Sequence, residues 1–362
     1  MTYEIRRFAA ETDNEGVLNV ARTLAIPARV QLGIDRSPDF AAFDTALGDP
    51  FEILVAEAKG EIIGFIELCL GRFRLFGRES AGVHVPLGGV RPDWRGRGVL
   101  GAMRHEGFDL ARRMGAEWAC ILVNANNRLI QDILRRSYPG LIAVNRLLVH
   151  GIVVPRTPFR ANRYSRYDIR AVDETEWPEL LDFVHERMQA YDLYPDVEAS
   201  RWRTLTDCPS ENYQVARDQS GQIVATLGSW DPTSMKRALV LGYGRAERIF
   251  LRPVNSLLST IGIRPFPLCG GQLRLLYTLF PQARPGHEGA LGHMIAGLRR
   301  ERRDYNAVLT AFPEGDPRNR LVRKYIHFTN VNLPLLIPLT SGFSDQLRSR
   351  PPHTFYLEYA FI

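Results

Sequence analysis

Arginine and glycine alternate at Arg95-Gly96-Arg97-Gly98, and these residue types in this order point to anion binding. Arginine offers forked donors that match phosphate oxygens. Glycine removes the side chains that would hold an anion off the backbone and lets the chain curl around it. The segment stands between an apolar run, Val83-His84-Val85-Pro86-Leu87-Gly88-Gly89-Val90, and a stretch with Leu100, Met103, Gly107, Leu110 and Met114 at three- and four-residue spacing. The first predicts a strand, the second a helix from about Gly98 to Arg113 that Gly115 stops. The unpaired N–H groups of the helix start and the positive end of its dipole then meet at the glycines. The chemistry predicted is pyrophosphate binding. No Gly-Lys-Ser/Thr closes the loop, as a triphosphatase would need. Nor does a Gly-x-Gly-x-x-Gly follow the first strand, as a dinucleotide site would need.

The elements around this loop occur twice. Tyr3-Glu4-Ile5-Arg6 returns as Tyr167-Asp168-Ile169-Arg170, each leading into an acidic helix start. Val55 to Gly64 matches Val215 to Val224, and both read as a β-hairpin. Gly98-Val99-Leu100-Gly101-Ala102-Met103 matches Gly289-Ala290-Leu291-Gly292-His293-Met294, and Asn127-Arg128-Leu129-Ile130 matches Asn319-Arg320-Leu321-Val322. The offset grows from 164 (Tyr3 to Tyr167) to 191 (Gly98 to Gly289), so the second copy carries an insertion at about 233–271. A repeat of this length is a duplicated domain. The expected division is 1–155, a proline-punctuated linker at 156–166, and 167–362. Strands interleaved with helices and a hairpin predict an α+β fold with a mixed sheet in each copy. The insertion reads as a pair of helices across the two sheets, and Thr354 to Ile362 as a last strand of the second sheet.

With the loop and its flanks in view, Val90-Arg91-Pro92-Asp93-Trp94-Arg95-Gly96-Arg97-Gly98-Val99-Leu100 resembles the coenzyme A loop of the GNAT superfamily of N-acyltransferases, Val-x-Pro-x-x-Arg-Gly-x-Gly. The order of elements in both halves extends the likeness over nearly the whole chain as a tandem pair. The resemblance implies an acyl-CoA co-substrate, with acetyl-CoA as donor, and direct attack by an amine without a metal. It implies that the main chain of Gly88, Gly89 and Val90 holds the pantetheine arm. The pyrophosphate would lie on Arg95, Gly96, Arg97, Gly98, Val99, Leu100 and Gly101, and Asn124 and Asn127 would stand beside the pantetheine. The family commonly places a tyrosine seven residues after its asparagine as general acid. Here that position is Leu134, and Tyr138, one turn on, is the substitute. Glu67 and His84, on the strands before the loop, are the candidates for the base that deprotonates the amine. A non-catalytic acyl-CoA sensor and a longer-chain or peptide acyltransferase stay open beside the acetyltransferase.

The second copy reads Gly286-His287-Glu288-Gly289 where the first reads Arg95-Gly96-Arg97-Gly98. Both arginines are gone, and a glutamate there repels phosphate while suiting a helix N-terminus itself. The second half is expected to keep the fold and lose the cofactor, and then to complete the substrate cleft, form a homodimer or bind a partner.

Composition agrees with this class. Of 362 residues, 45% are hydrophobic and 24% charged, the balance of a globular protein. The net charge of +6 comes from dispersed basic residues with no nucleic-acid-binding signature, so nucleic acid is not an expected partner. The N-terminus has no apolar leader, and the most apolar tract, Val331 to Leu339, is far short of the ~20 residues a bilayer demands. Cys69, Cys120, Cys208 and Cys269 lie too far apart for a zinc or disulfide pattern. Together these predict a cytoplasmic chain with free thiols and no membrane partner.

Overall fold

The computed structural model describes residues 2–25, 30–156, 167–196 and 212–361. The linker expected at 156–166 lies outside the described residues except for Arg156, and Cys208 lies outside them too. Cys69, Cys120 and Cys269 are free thiols.

The first half runs β1 (Glu4–Arg7), α1 (Ala10–Arg22), β2 (Val30–Asp35), α2 (Ala42–Leu47), β3 (Phe51–Ala58), β4 (Glu61–Leu75), β5 (Arg78–Val85), β6 (Gly88–Val90), α3 (Val99–Arg113), β7 (Trp118–Asn124), α4 (Arg128–Ser137), β8 (Ile142–Ala143) and β9 (Leu147–Val153). The second half runs β10 (Asp168–Ala171), α5 (Trp177–Met188), β11 (Leu193–Pro195), β12 (Tyr213–Arg217), β13 (Ile223–Trp230), β14 (Arg237–Tyr243), α6 (Arg245–Thr260), β15 (Gln272–Leu273), β16 (Leu275–Ala283), α7 (Glu288–Glu301), β17 (Ala307–Pro313), α8 (Asn319–Val322), β18 (His327–Pro338) and α9 (Ser341–Ser349).

Fifteen strands form one mixed sheet whose main path is β1-β3-β4-β5-β7-β18-β9-β17-β16-β13-β12-β10. The two halves sit at its ends as mirrored copies. The edge strands β1 and β10 pair with β3 and β12, and the parallel pairs β5–β7 and β16–β17 lie nearer the middle. At the centre the last strands are exchanged. β18 of the second half pairs with β7 of the first, and β9 of the first pairs with β17 of the second. β9 and β18 then pair with each other, so the ladder has no break between the halves.

Alternation along the strands sorts the cores. Leu54, Ile66, Leu68, Val83 and Val85 pack under α3 with its Met103 and Leu110, whereas Ile53, Val55 and Phe65 pack under α1. Gly107 lets α3 lie close to the sheet, because a Cβ there would stand 3.0 Å from a Leu68 methyl. Residues 67, 69 and 84 fall on the α1–α2 face.

Two expectations are corrected. The insertion holds one described helix, α6, and the strand β14, which pairs with β15 just beyond it and with β2 of the first half, giving a separate three-stranded sheet. The apolar run Ala238-Leu239-Val240-Leu241 is strand-forming because β2, some two hundred residues earlier, offers a free edge. The C-terminal segment from Thr354 is not a strand. It makes a single bridge between Phe355 and Leu193, then buries Phe355, Tyr356, Leu357 and Glu358 against both halves.

Candidate functional site

β5 and β6 are one strand interrupted by a bulge. Cys69 faces His84 and Ile66 faces Gly88, so two residues of β4 (Glu67, Leu68) oppose three (Val85, Pro86, Leu87). Pro86 has no N–H to give to a ladder, which suits it to a bulge. The parallel β5–β7 ladder ends at Val85 opposite Ile121, and β6 pairs only with β4. The sheet therefore opens between β6 and β7. Leu87 accepts from Glu67 N at 2.9 Å and Arg91 N donates to Ile63 at 2.8 Å, so the main chain of alternate residues 87, 89 and 91 turns toward β4. The N–H and C=O groups of Gly88 and Val90 consequently face the opening. Gly89 does not. It lies opposite Phe65, and a Cβ there would strike Leu24 at 2.3 Å, so its reason for being glycine is the packing of the chain after α1.

The loop follows directly. Gly96 (φ 75°) and Gly98 (φ 78°) hold left-handed backbone that only glycine adopts at no cost, and α3 begins at Val99 with no side chain capping it. A Cβ at Gly96, Gly98 or Gly101 would meet nothing within 4 Å. The glycines thus shape an open concave turn whose helix-start N–H groups point outward, as anion binding requires. The arginines divide the work. Arg95 donates to the carbonyls of Val90 (3.1 Å) and Thr23 (3.3 Å) and ties the loop to β6 and α1. Arg97 lies with its guanidinium 5.1 Å from the Trp94 ring centre, at the exposed lip of the turn.

Of the residues beyond the loop, the structure brings Glu67 and His84 to one face of the sheet and places Tyr138 elsewhere. The Tyr138 hydroxyl accepts from Arg104 Nε at 3.1 Å and its ring packs on Phe108, both on α3. Asn124 Nδ2 donates to Asn330 Oδ1 at 2.5 Å, fastening β7 beside β18, and its own Oδ1 accepts from Asn126 N. Asn127 caps α4 by accepting from Ile130 N at 3.4 Å.

Glu67 belongs to a buried charge cluster that no local pattern in the sequence announces. One nitrogen of Arg36 donates to Asp44 at 2.7 Å and to Glu67 at 2.8 Å, with all three side chains buried. Two carboxylates share one guanidinium out of contact with water, so burial, together with Asp44, pushes the Glu67 carboxyl well up. Lys236, from the insertion, is buried over the Phe43 and Tyr277 rings, and burial followed by the charge of Arg36 brings it down to about 7. His84 is pushed down to about 4, chiefly by burial, with Asp44 opposing and Lys236 and Arg36 assisting. It is therefore a neutral imidazole at neutral pH, and its Nε2 makes no hydrogen bond among the described residues. Asp44, Glu67 and Cys69 present ligand-type atoms within 4.8 Å of one another. Arg36 already stands between the two carboxylates, so the cluster has its positive charge from the chain itself.

The second half repeats the bulge and fills it. Its register shifts at Phe280 and Pro281 opposite β13, and the β16–β17 ladder ends at Tyr277 opposite Leu309. Here Phe280 N donates to Glu358 Oε2 at 2.8 Å, and Tyr356 donates to the same oxygen at 2.8 Å. Arg318, buried, donates to the Pro281 carbonyl at 2.6 Å and to Gln282 at 2.7 Å, and its far side meets Asp316 and Tyr191. In the loop, Gly286 N donates to Glu288 Oε1 at 3.2 Å. A carboxylate of the chain itself thus takes this donor.

No family model matches the sequence, and no curated protein matches it. Solved structures do match over nearly the whole chain. N-myristoyltransferase from Saccharomyces cerevisiae with bound myristoyl-CoA aligns with a TM-score of 0.59 and 8% identity, over 92% of this chain and 82% of that one. A GCN5-related N-acetyltransferase from Sphaerobacter thermophilus gives 0.57 and 15%, over 93% and 96%. A tandem GNAT protein from the clavulanic acid biosynthesis pathway gives 0.55 and 12%, over 94% and 99%. The chain has the tandem GNAT fold, as its loop and repeats imply. No described helix is long and apolar enough to cross a membrane.

Proposed function

We propose that the chain transfers an acyl group from acyl-CoA to an amine and that the first half alone holds the cofactor. The observation that carries this reading is the open gap between β6 and β7 ending in an open glycine turn, in a chain whose second gap and turn are closed by its own side chains. The pyrophosphate lies on the N–H groups of residues 95–101, with Arg97 at its edge. The pantetheine arm runs along Gly88 and Val90 as an added strand, and the thioester reaches the bulge, where main-chain N–H groups polarise its carbonyl.

The amine attacks the thioester carbon, the C–N bond forms, and the C–S bond breaks to release coenzyme A as its thiolate. The attacking nitrogen loses a proton, and the thiolate gains one. Neutral His84, on the strand that leads into the gap, is the candidate acceptor for the first transfer, and the burial that lowers it to about 4 makes it a weaker base than a free imidazole. Glu67, locked to Arg36, holds that face in place and sets its charge. Tyr138, held by Arg104 on α3, lies away from that face, and the proton for the thiolate comes from solvent.

Release of coenzyme A thiol in the presence of a panel of amines tests the reading, with acetyl-CoA and a long-chain acyl-CoA compared side by side. Turnover is expected with at least one amine, and His84→Ala should lower kcat by roughly 10²-fold or more. Binding of acyl-CoA without turnover on any amine would instead make the chain a sensor.

A further inference from the structure

The helix of the insertion, α6, presents an apolar face to solvent. Ile249 is 73% exposed, Leu257 61%, Ile261 45% and Val254 40%, and Leu268 in the loop beyond is 68% exposed. At 100° per residue, positions 249, 254, 257 and 261 fall within one broad stripe along the helix. Arg245, Arg248 and Arg252, all exposed, run along one edge of that stripe and make no ion pair among the described residues. The opposite side of the helix is anchored. Asn255 exchanges hydrogen bonds of 2.9 Å with both Phe266 N and Phe266 O, and Ile263 N donates to Leu258 O at 2.7 Å. The stripe is therefore held outward by its own loop. Apolar exposure also continues past the helix, where Ile326 and Phe328 at the start of β18 share a cleft with Leu258, Ile263 and Phe266.

An apolar stripe of this breadth needs a covering surface, and the arginines decide which kind. A second copy would bring the same arginine edge and the same apolar stripe, setting like charges into one interface. An anionic lipid surface answers both features, with phosphates for the guanidinium groups and an acyl boundary for the isoleucines and leucines. We propose that α6 docks the protein onto anionic membrane surfaces, lying in the plane of the headgroups without spanning the bilayer. This departs from the expectation of a chain with no membrane partner, which rested on the absence of a spanning segment.

Co-sedimentation of the full chain with phosphatidylcholine vesicles, and with vesicles of phosphatidylcholine and phosphatidylglycerol in equal parts, tests it. The protein should pellet with the anionic vesicles, stay in solution with the zwitterionic ones, and be released by raised salt. Replacing Arg245, Arg248 and Arg252 together by glutamine should weaken partitioning by roughly a hundredfold. Ile249→Glu with Leu257→Glu should abolish it, with the melting temperature unchanged because both side chains point into solvent. Absence of vesicle binding at low salt would overturn the proposal, as would binding that neither set of substitutions alters. Sedimentation velocity separates the remaining case. A dimer dissolved by Ile249→Glu and Leu257→Glu, in a protein that ignores vesicles, would make the occupant a second copy and the proposal wrong.

Discussion

The two halves carry the same bulge, the same turn and the same helix, yet they satisfy their exposed main-chain groups in opposite ways. At β6 the groups of Gly88 and the Val90 N–H face an open gap, the Val90 carbonyl being held by Arg95, and no side chain caps the helix that starts after Gly98. At β16 the matching region is closed by Glu358 on Phe280 N, Arg318 on the Pro281 carbonyl, and Glu288 on Gly286 N. A splayed sheet leaves N–H and C=O groups that must find partners. One half leaves most of them open, and the other meets them from within. On the function proposed, the second half keeps its fold without the cofactor because a few of its own side chains take over those hydrogen bonds.

Removing those substitutes should cost the second half stability and nothing else. Arg318→Met strips a buried cation from Asp316 and leaves the Pro281 carbonyl unpaired, so a loss of about 3–5 kcal/mol in urea denaturation is expected. A loss under ~1 kcal/mol would show that the plug is incidental. Next in size is a pH effect. Burial raises the Glu358 carboxyl to about 7 from an ordinary 4.5, with the Phe280 N–H and Tyr356 hydroxyl opposing. The folded state binds that proton more tightly than the unfolded state. The stability contribution is therefore full below pH 4.5 and is lost as pH rises to about 7, by roughly 3 kcal/mol. Glu358→Gln should flatten that slope relative to the wild type, and equal slopes would refute the assignment.

The first half should respond in affinity instead. Arg97→Glu copies Glu288 into the open turn and is expected to weaken coenzyme A binding by roughly a hundredfold in calorimetry, since a like charge beside phosphate costs several kcal/mol. Unchanged binding would sink the cofactor assignment. Smallest of all, Glu288→Ala should leave coenzyme A affinity and a stoichiometry of one per chain untouched, and should lower stability by only about 0.3–1 kcal/mol through loss of a helix N-terminal carboxylate. A second equivalent of coenzyme A bound by that variant would mean the second site was blocked rather than lost.

What the sequence disclosed was local. The glycine turn, the helix after it and the hairpins are each written in adjacent residues, and the repeats confirm one another because both copies use the same periodicities. The alternation of His84 with Val83 and Val85 matches its place on the face opposite α3. The cluster around Glu67 was not legible, because Arg36 and Asp44 come from the segment after β2 and Lys236 from the insertion, which is brought near only when β14 pairs with β2. The exchange of β9 and β18 was equally hidden, since an apolar strand bears the same pattern whichever half it completes. Residues 354–362 read as a strand because their aromatic residues suit one, but Phe355 to Glu358 serve as buried plugs instead.

That exchange has a consequence for how the chain is made. β7 leaves the ribosome with one edge bare, and the strand that covers it, β18, emerges about 200 residues later. At ordinary rates of synthesis the wait is roughly 10–40 s. For that interval the newborn first half is a sheet with an exposed apolar margin, the kind of surface that pairs with the wrong neighbour on a crowded ribosome. The prolines at positions 334 and 338 fall on residues of the late strand that turn away from β7, so the ladder that finally covers β7 keeps its donors.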